Sequence, residues 1–405
     1  MSNKQKKIFK TIIIALAIIL IGEIIYFGIR YYNGRKNSTY YSVINNAIVE
    51  NEKNYVGAGF SDYKQSKYND YEDGLNKATI FNYKDGKITK EVGFKKGYNS
   101  YFNDIIKVKD GYLAVGSIEM TKKQKEDGLS EGLLIKYDKN FNFKWRKNIR
   151  GIGKTELLKI KQDGDDFVIV GTSVYGEGYM GNHTTGGGIL IKINENGEEI
   201  MRVNNGGPFY GRFNDVLIEN NSYVVVGLGK ANSGIIIKYT KDGEKVWTGS
   251  YGYTDKNGIN SITKLGNKYI TATTKLVNPK EPNMSAALVV FNKNGKKVDD
   301  VKYNSQSINY FGDVETLNDS IIAVGYTGKG TTKIKTDAII VKYDKDLYEE
   351  ETNTLKGDNN EYYNNIYIKD NKIITLGYSN SKSKEYKING YDYLPITKTY
   401  NENLK

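Results

Sequence analysis

Few residues of this 405-residue chain have the types and spacing that catalysis or metal binding requires. The chain has no cysteine, which excludes a disulfide scaffold, thiolate-bound zinc and a cysteine nucleophile. His183 is its one histidine, so multi-histidine metal sites are excluded and histidine acid–base chemistry would depend on this residue alone. Because His183 has no cysteine or histidine partner, we interpret it as a polar loop residue.

Three acidic clusters contain the hard oxygen ligands that calcium prefers, at Asp70–Gly74, Asp163–Asp166 and Asp344–Asp346. None matches the calcium-loop pattern with its distal glutamate, so we interpret them as acidic turns, and calcium binding by a loop stays open. Gly186–Gly188 opens a strand rather than a helix, which is against a dinucleotide-binding loop. The sequence therefore predicts no catalytic residues, no metal site and no cofactor.

The net charge of +12 raises the question of a nucleic-acid partner. Acidic residues are interspersed with the basic ones along the chain, and nearly all basic residues are lysines. Arginine, whose planar guanidinium suits phosphates and base edges, is scarce. We predict no nucleic-acid partner.

Residues 11–29 form an apolar run that is interrupted by Thr11 and Glu23. Nineteen residues at about 1.5 Å each span a bilayer core, and no small-residue cleavage site follows, so an uncleaved anchor is preferred to a cleaved signal peptide. The basic tail, residues 1–10, is expected in the cytoplasm. The sequence thus predicts a single-pass cell-membrane protein whose residues 43–405 are extracellular.

The rest of the chain repeats one motif seven times, with an apolar strand that ends in glycine as its landmark. The mean spacing of about 53 residues is typical of a propeller or solenoid. These strands end at Gly59, Gly116, Gly171, Gly227, Thr273, Gly325 and Gly377.

Each repeat contains four short apolar or mixed runs separated by turn residues. The second run ends at the landmark glycine, and pairs such as Asp85-Gly86 and Asn196-Gly197 separate the third run from the fourth. Stretches such as Gly234–Thr240 are β-branched and short, which indicates strands rather than helices. Four antiparallel strands per repeat are typical of a propeller blade.

These repeats resemble the bacterial β-propeller repeats of the PQQ-like and WD40-like families, from about residue 40 to residue 405. The predicted fold is all-β, a seven-bladed β-propeller of four-stranded antiparallel blades preceded by one N-terminal transmembrane helix. Quinoprotein members of these families commonly stack vicinal cysteines on their cofactor, and this chain has none. Trp145 and Trp247 lie on predicted outer strands, where we interpret them as blade-docking residues.

Residues 30–42 have two open interpretations, because the last repeat lacks a fourth run before Lys405. The segment either supplies the outer strand that closes the ring or forms a flexible stalk. Ring closure would remove exposed strand edges, which otherwise invite pairing with other chains.

The predicted function is a non-enzymatic binding or scaffold module for a protein, a glycan or a cell-wall polymer. Two alternatives stay open: a propeller enzyme (hydrolase, lyase or atypical quinoprotein) and a subunit of an envelope-assembly or secretion complex. Long insertions fall on one predicted face, and tyrosine gives a large amphipathic surface that suits recognition. The predicted binding face comprises Tyr63, Tyr68, Tyr71, Tyr98, Tyr101, Tyr175, Tyr179, Phe209, Tyr210, Tyr251, Tyr253, Tyr310 and Tyr326.

Overall fold

Antiparallel β-strands make up nearly all the regular structure of the described residues. The computed structural model describes residues 41–62, 76–175, 185–205, 211–276, 284–303, 308–329, 335–380 and 394–405. Within these ranges the helical elements are a single-turn helix, α1 (Lys122–Glu126), and a 3₁₀ turn at Lys230–Asn232.

Repeats 1 to 3 each form a separate four-stranded sheet in sequential order. Their strands are β1 (Tyr41–Asn51), β2 (Asn54–Asp62), β3 (Asn76–Lys84), β4 (Lys87–Gly93), β5 (Asn99–Val108), β6 (Gly111–Glu119), β7 (Glu131–Asp138), β8 (Phe143–Ile149), β9 (Lys154–Asp163), β10 (Asp166–Tyr175), β11 (Thr185–Ile193) and β12 (Glu199–Asn205).

Repeats 4 to 6 share one 11-stranded sheet, and repeat 7 forms a three-stranded sheet of the described residues. The 11-stranded sheet contains β13 (Arg212–Glu219), β14 (Ser222–Leu228), β15 (Ser233–Thr240), β16 (Lys245–Leu265), β17 (Lys268–Leu276), β18 (Met284–Asn292), β19 (Lys297–Tyr303), β20 (Ile308–Leu317), β21 (Ser320–Lys329), β22 (Lys335–Tyr343) and β23 (Glu349–Leu355). The last sheet contains β24 (Glu361–Lys369), β25 (Lys372–Ser379) and β26 (Leu394–Tyr400).

The β-propeller is confirmed, but the prediction of seven separate blades is wrong: the described strands form a propeller of five hydrogen-bonded sheets. Strand β16 runs for 21 residues, pairing with β15 as the outer strand of repeat 4 and with β17 as the inner strand of repeat 5. A parallel bridge between Met284 and Ile308 joins repeats 5 and 6. The physical reason is that the connection between these repeats keeps an extended backbone, with Thr254 paired to Lys275, so one strand continues from repeat 4 into repeat 5.

The predicted transmembrane helix is likewise not part of the fold that the structure describes. No helix within the described ranges has the length and apolar composition needed to cross a membrane. Residues 11–29, where the span was predicted, lie outside those ranges, and so does most of the 30–42 segment.

The hydrophobic core lies between neighbouring repeats around the whole ring. Every pair of adjacent repeats shares a cluster of buried apolar side chains. The cluster that joins the last repeat to the first contains Leu376 together with Ile44 and Phe81. Hydrogen bonds reinforce this seam, since the Tyr378 hydroxyl donates to the carbonyl of Ile44. The ring is therefore closed through packing.

The two tryptophans dock repeat 2 on repeat 3 and repeat 4 on repeat 5, in keeping with the docking role that the sequence predicts. A Cβ added to Gly197 would lie 2.6 Å from Cη2 of Trp145, which belongs to the preceding repeat. Trp247 packs in the same way on Gly295, where an added Cβ would lie 2.3 Å from the indole. These glycines are turn residues that leave space for a neighbouring indole.

A β-bulge in the inner strand explains the landmark glycine. In repeat 2 the register shifts between Phe102 and Asp104, and Gly116 pairs with Phe102. A Cβ on Gly116 would lie 1.8 Å from the carbonyl oxygen of Tyr101, so no larger residue fits without movement. Repeat 5 has Thr273 instead, and its inner strand carries the glycine, Gly258, with φ 74°.

Candidate functional site

The inner strands β1, β5, β9, β13, β20 and β24, with the second half of β16, surround the propeller axis. The two ends of this channel differ. On the turn side, tight turns join the first strand of a repeat to its second; on the loop side, the second-to-third connections and the links between repeats leave the sheets. The candidate site is the channel and its loop-side mouth.

Seven equivalent inner-strand positions, just after the bulge, form what we call the belt. Each pairs with the residue directly before the landmark position, as Asp104 pairs with Val115. The belt consists of Asn46, Asp104, Lys159, Asp215, Ser261, Asp313 and Asn365.

The three belt aspartates join each even-numbered repeat to the next one. The N–H of Ile160 donates to Oδ2 of Asp104 at 2.8 Å, and the N–H of Ile366 donates to Oδ2 of Asp313 at 2.9 Å. Asp215 accepts from the next repeat in the same way. Each aspartate also accepts the N–H of the residue that follows it. Their carboxylate oxygens are thus occupied by structural hydrogen bonds.

Asparagines at the bulge itself add a second set of hydrogen bonds between repeats. Asn103 Nδ2 donates to the Leu157 carbonyl at 2.8 Å, and Asn260 Nδ2 donates to the Phe311 carbonyl at 2.8 Å. Asn45 and Asn214 do the same at their own positions. The same amide contact in repeats 1, 2, 4 and 5 indicates a structural role.

Lys159 occupies the belt position of repeat 3, where repeats 2, 4 and 6 have aspartate. Burial acts to lower the pKa of Lys159, but the carboxylates of Asp104, Asp215 and Asp313 outweigh it and raise that pKa. Nζ of the neighbouring Lys161 lies 2.8 Å from Oδ1 of Asp215. Burial acts to raise the pKa of Asp215, but Lys161 and Lys159 outweigh it and lower that pKa. Two cations thus compensate the buried carboxylates of the belt.

Glu315, two residues beyond the belt, is a carboxyl group whose charged form is disfavoured by its surroundings. Its burial, with the nearby charge of Asp313, raises its pKa to about 7. Thr263 Oγ1 donates to Glu315 Oε2 at 3.2 Å, and Lys161 acts in the opposite direction on its pKa. A deeply placed acid beside another carboxylate is expected to titrate near neutrality.

The loop-side mouth of the channel, which we define as Tyr101, Arg212, Asp255, Tyr310, Tyr326 and Tyr362, is aromatic. The rings of Tyr310 and Tyr326 stack with centroids 5.2 Å apart at 16°. Tyr362 meets Tyr326 edge to face at 6.2 Å. In repeats 1 and 2, Tyr101 packs edge-on against Phe60 at 5.0 Å.

Arg212 and Asp255 provide the charged part of the mouth. Arg212 Nη2 donates to Asn257 Oδ1 at 3.0 Å, while the Asp255 carboxylate accepts from the N–H and the Nδ2 of Asn257. Burial raises the pKa of Asp255, and Arg212 partly offsets this effect. Burial is the main cause of the raised pKa of Tyr310, and the charges of Asp255 and Arg212 also act on its phenol.

The structure places the predicted binding residues in three situations. Tyr101, Tyr310 and Tyr326 lie at the mouth, and Tyr98 lies nearby on the loop side with Lys125 of α1 over its ring at 5.6 Å. Tyr251 does not fit a binding surface, because it is 5% exposed and its hydroxyl donates to Asp300. Outside the described residues, or without a described side chain, are Tyr63, Tyr68, Tyr71, Tyr175, Tyr179, Phe209, Tyr210 and Tyr253.

The candidate metal ligands have structural partners where they are described. Asp163 accepts a hydrogen bond from Tyr223 and pairs with Lys241, and Asp344 accepts backbone N–H groups of its own turn. Within the described ranges no group of three histidine, cysteine or acidic residues is arranged to hold a metal ion. His183 and Asp70–Gly74 lie outside those ranges.

The belt, Arg212 and Tyr362 are the channel residues that the sequence reasoning missed. A signal for the belt exists, because a polar residue precedes the landmark by twelve positions in six repeats, as at Asp104, Asp215 and Asp313. In most repeats an asparagine precedes that residue. Tyr362 lies three residues before its belt residue, as Tyr101 and Tyr310 do, whereas Arg212 has no comparable periodic signal.

No family model matches this chain, and no curated protein matches it. Solved structures with a similar fold include Sqt1 from Chaetomium thermophilum, with 9% identity, TM-score 0.42, and 89% of this chain and 98% of that chain covered. A second is a putative 6-phosphogluconolactonase from Bacteroides fragilis, with 10% identity, TM-score 0.46, and coverages of 87% and 100%. A third is the Dos1 propeller, with 10% identity, TM-score 0.44, and coverages of 84% and 92%. These likenesses concern the fold alone.

Proposed function

We propose that this protein is a binding module that holds a protein, a glycan or a cell-wall polymer at the loop-side mouth of its propeller. The observation that carries the proposal is the departure of the mouth from the repeat pattern. At the inner-strand position that pairs with the residue after the landmark, repeat 3 has Glu156, repeat 4 has Arg212 and repeat 6 has Tyr310. Packing of the ring does not require different residues at this position, so these side chains are available for recognition.

The mouth also has the composition of a recognition surface. Tyr326 and Tyr362 are half-buried, so their rings are held in place while part of each stays accessible. Rigid tyrosines offer a large contact area at a low cost in conformational entropy. Binding sites on propellers and other rigid scaffolds lie where variable loops meet the framework.

An enzyme is the weaker alternative because the channel acids already have structural partners. Both oxygens of Asp104 and of Asp313 accept hydrogen bonds from backbone N–H groups. A general acid or base needs an oxygen within reach of substrate. Membership of an envelope-assembly complex stays open as a form of the binding function, and the extracellular location stays a prediction.

Affinity capture with the full chain tests the proposal. The double variant Tyr326→Ser and Tyr362→Ser should reduce capture from the cell-envelope fraction at least about tenfold. A matched control, Phe143→Ser and Tyr348→Ser, removes aromatic rings that are 52% and 73% exposed, on the outer strand β8 and in the turn before β23. Equal capture by both variants, or equal loss in both, would refute a binding site at the mouth.

A further inference from the structure

Arg212 has an unused hydrogen-bond donor at the mouth of the channel. Its Nε is buried and has no hydrogen-bond partner within the described part of the chain. Buried donors in folded proteins are nearly always paired, and an unpaired one calls for an explanation. A ligand with an acceptor group would supply the missing partner.

The surroundings of Arg212 favour an acceptor that carries a negative charge. The nearest acid, Asp255, directs its carboxylate oxygens to the N–H and side-chain amide of Asn257. Hydrogen bonds from arginine to carboxylate or phosphate are about twice as strong as neutral ones.

Next to Arg212, the tyrosines form a partly apolar aromatic row. Arg212 lies close enough to Tyr310 to lower the pKa of its phenol against the effect of burial. Tyr310 stacks on Tyr326, and Tyr362 continues the aromatic row. An aromatic face packs well against the C–H face of a pyranose ring, while the phenol hydroxyls can bond to sugar hydroxyls.

We propose that the mouth binds an acidic polysaccharide, with its carboxylate or phosphate on Arg212 and its sugar rings on Tyr326 and Tyr362. This inference rests on the proposed binding function and specifies the ligand. An acidic peptide would use Arg212 but not a row of aromatic faces. The overall charge of +12 adds long-range attraction for a polyanion.

Titration of the full chain with defined polymers tests the inference. Polygalacturonate carries carboxylates on pyranose rings, and phosphorylated dextran carries phosphates; dextran is neutral, and polyglutamate has carboxylates without sugars. At least one acidic polysaccharide should bind about tenfold or more tighter than dextran and polyglutamate, and the tighter of the two identifies the acid group. The inference would be overturned if neither acidic polysaccharide binds, or if polyglutamate binds as tightly as the acidic polysaccharides do.

Matched variants separate site binding from general charge attraction. Arg212→Met should lower the affinity for the acidic polysaccharide about tenfold, whereas Lys109→Met removes one exposed positive charge on the turn side and should change it less than twofold. Tyr326→Ser should weaken binding, and Tyr348→Ser should not. Equal effects of Arg212→Met and Lys109→Met would contradict the inference. If the polymers fail while envelope capture still depends on Tyr326, the ligand class is wrong and the binding function stands.

Discussion

The belt and most of the mouth lie on the same inner strands, and they differ in symmetry and in hydrogen bonding. At the belt, equivalent positions recur around the ring, and the aspartates of repeats 2, 4 and 6 bond to the repeat that follows. At the mouth, the equivalent inner-strand positions carry Tyr101, Glu156, Arg212 and Tyr310, which differ in charge and in hydrogen-bonding groups.

This difference separates residues that hold the ring from residues that are available for binding. Every pair of neighbouring repeats in a propeller must be held together in a similar way, so the residues that hold them recur periodically in the sequence. Lys159 departs from the periodic type, but it compensates Asp104, Asp215 and Asp313. A residue that differs from the repeat pattern therefore indicates recognition only where it does not help to hold neighbouring repeats together.

Removal of the belt cation should have the largest effect on stability. Lys159→Met leaves Asp104 and Asp313 without their main compensating charge, and should lower the free energy of unfolding by about 3–5 kcal/mol. Urea denaturation at neutral pH measures this. Lys107→Met, on an exposed side chain, is the control, with a change of less than about 0.5 kcal/mol. A loss below about 1 kcal/mol for Lys159→Met would show that the belt does not depend on this lysine.

Adding a methyl group to the landmark glycine at the bulge should have the next largest effect on stability. Gly325→Ala places a Cβ 1.7 Å from the Tyr310 carbonyl oxygen, and relief of this clash should cost about 1–3 kcal/mol or more. The control Gly252→Ala has no heavy atom within 4 Å of the added Cβ. Thermal unfolding compares the two. Equal melting temperatures would mean that the landmark glycine is not required by the bulge.

The acid near the belt should make stability depend on pH. Because the pKa of Glu315 is raised to about 7 by burial and Asp313, the folded chain holds more protons than the unfolded chain between about pH 4.5 and 7. The contribution of Glu315 to stability therefore falls as pH rises through this window, by an amount of order 2 kcal/mol. Glu315→Gln should remove that slope, and Glu126→Gln, on an exposed helix residue, should not. Parallel pH profiles for Glu315→Gln and the unmodified chain would exclude this titration.

Much of the architecture could be predicted from local sequence signals. Turn pairs such as Asp85-Gly86 have positive φ at both residues, 53° and 73°, as their types require. The docking role of Trp145 and Trp247 also followed from their place on outer strands. The number of sheets could not be predicted, because it depends on whether β16 continues through a link and on one bridge at Met284.

The site was only partly predictable, because tyrosine is abundant throughout the chain. Tyr310 and Tyr326 were identified as binding residues from their loops, whereas Tyr251 has the same sequence context and is buried. Tyr362 and Arg212 join the mouth through the closure of the ring, which brings strands far apart in sequence to one axis. No local pattern encodes that proximity.

The separation of belt and mouth is tested most directly by measuring unfolding free energy and envelope capture on the same two variants. Asn103→Ala removes the 2.8 Å hydrogen bond to the Leu157 carbonyl and should lower the free energy of unfolding by about 1–2 kcal/mol with unchanged capture. Tyr362→Ser should reduce capture several-fold and change the free energy of unfolding by less than that of Asn103→Ala. Loss of both properties together in either variant would contradict the account.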